Sequence, residues 1–313
     1  MINVGIAGTF SAITRHTYAL KRMQDIRITG CWITSASKDA AVDLESGKAC
    51  GDPGIIIGKA DVIIITDTGS FSNHLATVAL KKARHVFLNP SVICAINEVY
   101  QLIKLAREAN VILKCGRTGK AGINGLLNIV PDINAIGIIE LQHCIKLTKA
   151  NGSDWISDTL LGDIEIVNSL IHARNISIKA KGLCMLSSLP EIINARLEFD
   201  NGCAVNYYCN MIAAQNEHLI TIVLKDSVLK YSFITHELTG WYLKRTINQN
   251  ENPIFIENIQ VERTDYLFDD LSGFFNLIRS GPAFLSIYDN GFESLVLADR
   301  IHEKVLKTLV QYA

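Results

Sequence analysis

Five short apolar runs punctuate the first third of the chain: Ile2 to Gly8, Ile26 to Ile33, Val62 to Ile65, Val86 to Leu88 and Val111 to Leu113. Their apolarity is continuous rather than alternating, which predicts parallel strands covered on both faces. Between the last two runs Ile96, Val99, Leu102, Ile103 and Ala106 recur three and four apart, the spacing of a helix with one buried stripe. Asn110 follows where a left-handed cap residue is wanted. Alternating strands and helices with right-handed crossovers predict a doubly wound α/β domain over residues 1–117.

The rhythm changes after about residue 120. Ile139, Leu141, His143, Ile145 and Leu147 alternate with Glu140, Gln142, Cys144, Lys146 and Thr148, a period of two. Ile176, Ile178 and Ala180 alternate with Ser177, Lys179 and Lys181 in the same way. Ala195, Leu197 and Phe199 run into Asp200-Asn201-Gly202, a turn, and Cys203 to Met211 returns as the partner strand. Glu217 to Leu224 and Val228 to Phe233 form a further hairpin, and helices are expected over Asp265 to Arg279 and from Asp289 or Asn290 to Val310. Residues 118–313 are therefore expected to form an α+β domain with a large, mostly antiparallel sheet.

Composition narrows the function. Thirty basic and thirty-one acidic side chains leave a net charge of −1, so nothing favours nucleic acid or an anionic membrane. No apolar run approaches the roughly 18–20 residues that span a bilayer, and no leader pattern opens the chain. The eight cysteines are scattered without a C-x-x-C pair, which reads as reduced, buried thiols in a cytoplasm. The eight histidines show no metal-binding spacing.

Several segments carry a resemblance. Ala79-Leu80-Lys81-Lys82-Ala83-Arg84-His85-Val86-Phe87-Leu88, the helix ending Leu105-Ala106-Arg107-Glu108-Ala109-Asn110-Val111, the hairpin Phe199-Asp200-Asn201-Gly202 and the stretch Phe274 to Pro282 resemble the family of glucose–fructose oxidoreductase, inositol dehydrogenase and MocA, nearly end to end. The resemblance implies a Rossmann-like N-terminal domain, NAD(P) as cofactor, a sugar-like or polyol substrate, and a homodimer or higher assembly formed through the antiparallel sheet. It also implies a lysine and a histidine beside the nicotinamide to move the proton.

This chain departs from the family at each of those points. In a gapless alignment Pro90 stands at the lysine, with Asn89 and Ser91 beside it, and proline has no ionisable group. The family helix D-x-x-x-H-x-x-D reads here from Asp158 to Glu165, which puts Gly162 at the histidine. In the glycine fingerprint Phe10 and Ile13 replace the second and third glycines, which serve backbone approach to the pyrophosphate and close helix–strand packing. A benzyl group there is expected to fill the pyrophosphate's space or to swing away through a distorted turn. No acid closes the second strand to hold a ribose, and Ser37-Lys38 after Thr34 and Ser35 would suit a 2′-phosphate better.

The expected cofactor contacts, if a dinucleotide binds, are Gly8, Thr9, Phe10, Ser11, Ala12, Thr34, Ser35, Asp67, Thr68 and Asn89. Asp158 and His74 remain as candidate acid–base groups, with Asp67 as a possible partner of His74 or, equally, a carboxylate that repels phosphates. Lys120, Arg117 and Glu165 are the candidate substrate contacts. The resulting expectation is an oxidoreductase homologue with ordinary hydride transfer weakened or lost, which binds a small polar ligand or a partner. The alternative is an active NAD(P)-dependent enzyme with a relocated acid or base.

Overall fold

The computed structural model describes residues 1–33, 52–66, 70–88, 96–116, 123–130, 132–147, 155–243, 253–261, 265–281 and 290–311. Contacts divide the chain into two units, Met1–Thr118 with Asp265–Glu293, and Gly119–Thr264 with Ser294–Ala313. The break after Thr118 lies one residue from the expected division. The segment Asp265–Glu293 differs, because it joins the first unit rather than the second.

The first unit holds a five-stranded parallel sheet in the order β2-β1-β3-β4-β5. Its strands are β1 (Ile2–Gly8), β2 (Ile26–Ile33), β3 (Val62–Ile65), β4 (His85–Leu88) and β5 (Leu113–Cys115). The helices α1 (Phe10–Lys21), α2 (Pro53–Lys59), α3 (Ser70–Lys81) and α4 (Ile96–Glu108) connect them. β5 begins later than the apolar run at Val111 because two amides are used elsewhere. Val111 N–H donates to Ala106 O and closes α4, and Ile112 N–H donates to His85 Nδ1 at 3.0 Å. Asn110 has φ 53°, the left-handed conformation expected of it.

The transfer of α7 (Tyr266–Ser280) to this unit has a packing cause. Its Leu271, Phe274 and Phe275 are fully buried in one cluster with Val4, Ile6 and Ile13. Polar ties hold it as well. Lys114 Nζ lies 2.9 Å from Asp270 Oδ1 in a largely buried pair, and Arg279 grips Asp25 through two nitrogens.

The second unit is built on a nine-stranded sheet in the order β13-β12-β11-β10-β6-β9-β8-β7-β14. The strands are β6 (Ile138–Lys146), β7 (Asn175–Cys184), β8 (Ile192–Phe199), β9 (Ala204–Ala213), β10 (Glu217–Val223), β11 (Ser227–Ser232), β12 (Glu237–Leu243), β13 (Ile254–Gln260) and β14 (Val310–Gln311). Neighbours run antiparallel except β6 with β9 and β7 with β14. The turn at Asp200-Asn201-Gly202 is formed, with Gly202 at φ 85° where a side chain would be strained.

Three helices belong here in whole or in part: α5 (Ile123–Ile129), α6 (Trp155–Leu170) and α8 (Asn290–Lys307). Leu160, Leu161, Ile164 and Val167 of α6 and Ile301 and Val305 of α8 share one core cluster with the inward side chains of the sheet. On the central strands those are the odd residues of β6 and β9 and the even residues of β10. Cys144, Cys184, Cys203 and Cys209 are buried thiols without disulfides. No helix among the described residues is long and apolar enough to cross a membrane.

Candidate functional site

The glycine turn is the first place to look. β1 ends at Gly8 (φ 155°), Thr9 caps α1 in an extended conformation, and α1 starts at Phe10 with a regular first bond from Ile13 N–H to Thr9 O. The expected distortion is therefore absent. Phe10 neither buries itself in the turn nor twists it; on the first residue of the helix its ring is free to lean outward, and it is 37% exposed. Ile13 is fully buried and occupies the space in which a glycine would let helix and strand close together. The first-turn amides of Phe10, Ser11 and Ala12 precede any intrahelical acceptor, so the helix start keeps its capacity for an anion.

The second place is α6. Asp158 lies near its start, Gly162 stands in its middle, and the helix is continuous through both. Glu165 is buried inside the second unit rather than on a solvated face. His74 is exposed on α3 in the first unit. Thr34, Ser35, Asp67, Thr68, Asn89, Pro90, Arg117 and Lys120 lie outside the described residues.

The chemistry that α6 does assemble was not expected. Asp163, the residue after Gly162, points into the sheet and is only 1% exposed. Three strands meet it. His143 Nδ1 lies 3.1 Å from Asp163 Oδ2, His218 Nε2 lies 2.8 Å from Oδ1, and Tyr207 donates its hydroxyl to Oδ2 at 2.9 Å. His218 Nε2 approaches at an angle outside hydrogen-bond geometry and is buried without an aligned partner. Sheet register explains the convergence, because His143 on β6 faces His218 on β10 on one side and Cys209 on β9 on the other. The two imidazoles stack with centroids 3.9 Å apart and planes 13° apart, and Phe233 stacks on the outer face of His218 at 4.3 Å.

The electrostatics follow from this packing. Burial alone would raise the Asp163 carboxyl, but the charge of His218 and the hydrogen bond and charge of His143 outweigh it and hold the group at about 2. Burial, reinforced by the Asp163 charge, pushes the Tyr207 hydroxyl and the Cys209 thiol up, so both stay protonated. The cluster thus has one buried anion, two imidazoles and neutral neighbours. His143 and His218 remain 21% and 18% exposed, so one side of it is reachable. Among the described residues this is the group of three ligand-type side chains whose donor atoms all lie within 4.8 Å of one another.

No family model matches the chain. One curated relative, UDP-N-acetylglucosamine 3-dehydrogenase from Acidithiobacillus ferrooxidans, is 18% identical over 282 residues, which covers 90% of this chain and 88% of that protein. The solved structure of that dehydrogenase superimposes with a TM-score of 0.83 at 18% identity, covering 98% of this chain and 99% of the other. Biliverdin reductase from a Synechocystis species, solved with biliverdin and NADP+, gives 0.77 at 18% identity over 97% and 99% of the two chains. Levoglucosan dehydrogenase, solved with NADH and levoglucosan, gives 0.80 at 12% identity over 98% of each. Over nearly its whole length the chain resembles, and has the fold of, the oxidoreductases of the glucose–fructose oxidoreductase, inositol dehydrogenase and MocA family.

Proposed function

We propose that this chain is an oxidoreductase homologue in which ordinary NAD(P)-dependent hydride transfer is weakened or lost, and which works by binding a small, polar, sugar-like ligand. One observation carries the reading: Gly162 lies in a regular stretch of α6, at the position where the resemblance implies the family's proton-moving histidine. A glycine cannot give or take a proton, and removing a general acid or base costs about 10²–10⁴ in rate. The buried Ile13, at the position where the resemblance implies the third glycine, supports it from the cofactor side. The test is turnover of a panel of sugars and polyols with NAD+ and NADP+. No turnover above the blank is expected, together with a thermal shift by at least one sugar-like compound; ready turnover by the unaltered protein defeats the reading.

A second reading is favoured by the undistorted start of α1, which keeps the amides that hold a dinucleotide phosphate. In it NADP or NAD still binds and Asp158 serves as the relocated base. Turnover abolished by Asp158→Asn would select it.

The same proposal includes a cytoplasmic homo-oligomer. Its support is an apolar row on the sheet face opposite α6, where Ile138, Val223, Val228, Trp241 and Ile256 stand in register across five strands. A second copy of the chain, laid face to face, would cover it.

A further inference from the structure

We infer that His143, His218 and Asp163 bind one divalent transition-metal ion of the zinc class. The inference stands apart from the reading of hydride transfer, since it concerns the second unit alone and needs no nucleotide. Two imidazoles and a carboxylate are a donor set for zinc or ferrous iron, with the remaining positions left to water or a ligand. The spacing fits. Bonds of about 2.0–2.1 Å in tetrahedral geometry set donors about 3.3 Å apart, and here Asp163 Oδ1 lies 2.8 Å from His218 Nε2 and 3.2 Å from His143 Nδ1. Seating the ion asks the carboxylate contacts to open by a few tenths of an ångström and the two imidazole nitrogens, within 4.8 Å of each other, to turn toward one point.

Two further features point the same way. His218 Nε2 is buried 2.8 Å from Asp163 Oδ1 without an aligned hydrogen bond, so an ion could take the place of that contact. Tyr207 holds Oδ2 from behind and leaves Oδ1 to the ion, the supporting contact that metal carboxylates usually have. Because the rings are stacked within 13°, one of them must turn about its Cβ–Cγ bond to bring both lone pairs onto one ion. The exposed edges of the two rings give that turn room and give the ion a way in. Once bound, the ion would act as a Lewis acid toward a hydroxyl-bearing or anionic ligand in its open positions.

The test is calorimetric titration of the untagged, chelator-stripped full chain with zinc and with cobalt chloride, on the unaltered protein and on His143→Gln, His218→Gln, Tyr207→Phe and His172→Gln. The expected result is one equivalent per chain, a raised melting temperature, and loss of saturable binding in both glutamine variants at the cluster. Tyr207→Phe should weaken binding roughly 10-fold or more, and His172→Gln, exposed in the loop after α6, should leave it unchanged. No binding by the unaltered protein at millimolar metal overturns the inference. So does binding that survives both His143→Gln and His218→Gln, which would mark it as adventitious. If either variant fails to fold by circular dichroism, the other and the unaltered protein still decide.

Discussion

His143 and His218 face each other directly across the β6–β10 pair, and the imidazoles stack over a single buried carboxylate, Asp163. Their two strands, with the helix above, make one electrostatic unit out of residues that are remote in sequence. Replacing Asp163 by alanine removes the centre of that unit. Breaking a buried ionic contact from one side costs about 3–5 kcal/mol, so urea unfolding of Asp163→Ala should show a loss of that size, whereas Tyr207→Phe should lose about 1.5–3 kcal/mol. Equal stability of all three proteins would show that the carboxylate is not paired as described.

His16 predicts a pH dependence in the first unit. It is buried in α1 and donates from Nδ1 to Ala12 O at 2.8 Å, and burial lowers its imidazole from the ordinary 6.5 to about 4, with the Ala12 bond offsetting only part of the effect. In the unfolded chain the ring takes its proton near 6.5, in the folded chain only near 4. The contribution to stability is therefore whole above 6.5 and falls away as pH drops toward 4, by at most about 3 kcal/mol. Denaturation curves at intervals across that window should show the slope, and His16→Gln should flatten it.

Gly182 on β7 predicts an intolerance of size. A methyl group there would come 2.6 Å from Val305 Cγ1 and 2.9 Å from Leu309 Cδ1. Gly182→Ala should destabilise the second unit by about 1–3 kcal/mol through overpacking, read as a lower urea midpoint at unchanged m value.

Trp241 predicts the assembly. It is the fourth of five residues in the apolar row that runs from Ile138 to Ile256 and the largest of them. Trp241→Glu should convert an oligomer into a monomer in light scattering after gel filtration, with secondary structure intact. A monomeric unaltered protein would remove the argument for a second copy.

How much of this was legible in the sequence depended on the kind of signal. The parallel strands of the first unit and the hairpins around Gly202 and Lys225 declare themselves through period and turn chemistry, and the observed β8–β9 and β10–β11 pairs follow them closely. β13 was not seen, because Ile254, Phe255 and Ile256 are all exposed on an edge strand, so no buried face imposes alternation. β12 hides for another reason, since Gly240 interrupts the inward series of Leu238 and Tyr242. The placement of α7 with the first unit depends on which apolar surface it covers, and periodicity records only that it covers one.

Of the candidate site, the helix was legible: the resemblance implies one over Asp158 to Glu165, and α6 is formed there. The cluster one residue further on carries no motif, although His143 stands in the alternating apolar series of its strand. A histidine in the apolar register of β6, another in that of β10 and an aspartate inside an apolar helix were the available signal. Only the register of β6 against β10 shows that the three point at one another.

We propose that hydride transfer has been weakened or lost while the fold remains. Titration with NADH and NADPH tests it most directly, followed through the fluorescence of Trp32 near the end of β2. No saturable change is expected with either nucleotide up to concentrations on the order of 1 mM, the range of weak binding at about −4 kcal/mol. Saturation in the micromolar range, with a bound sugar alcohol oxidised beside the nucleotide, would contradict it.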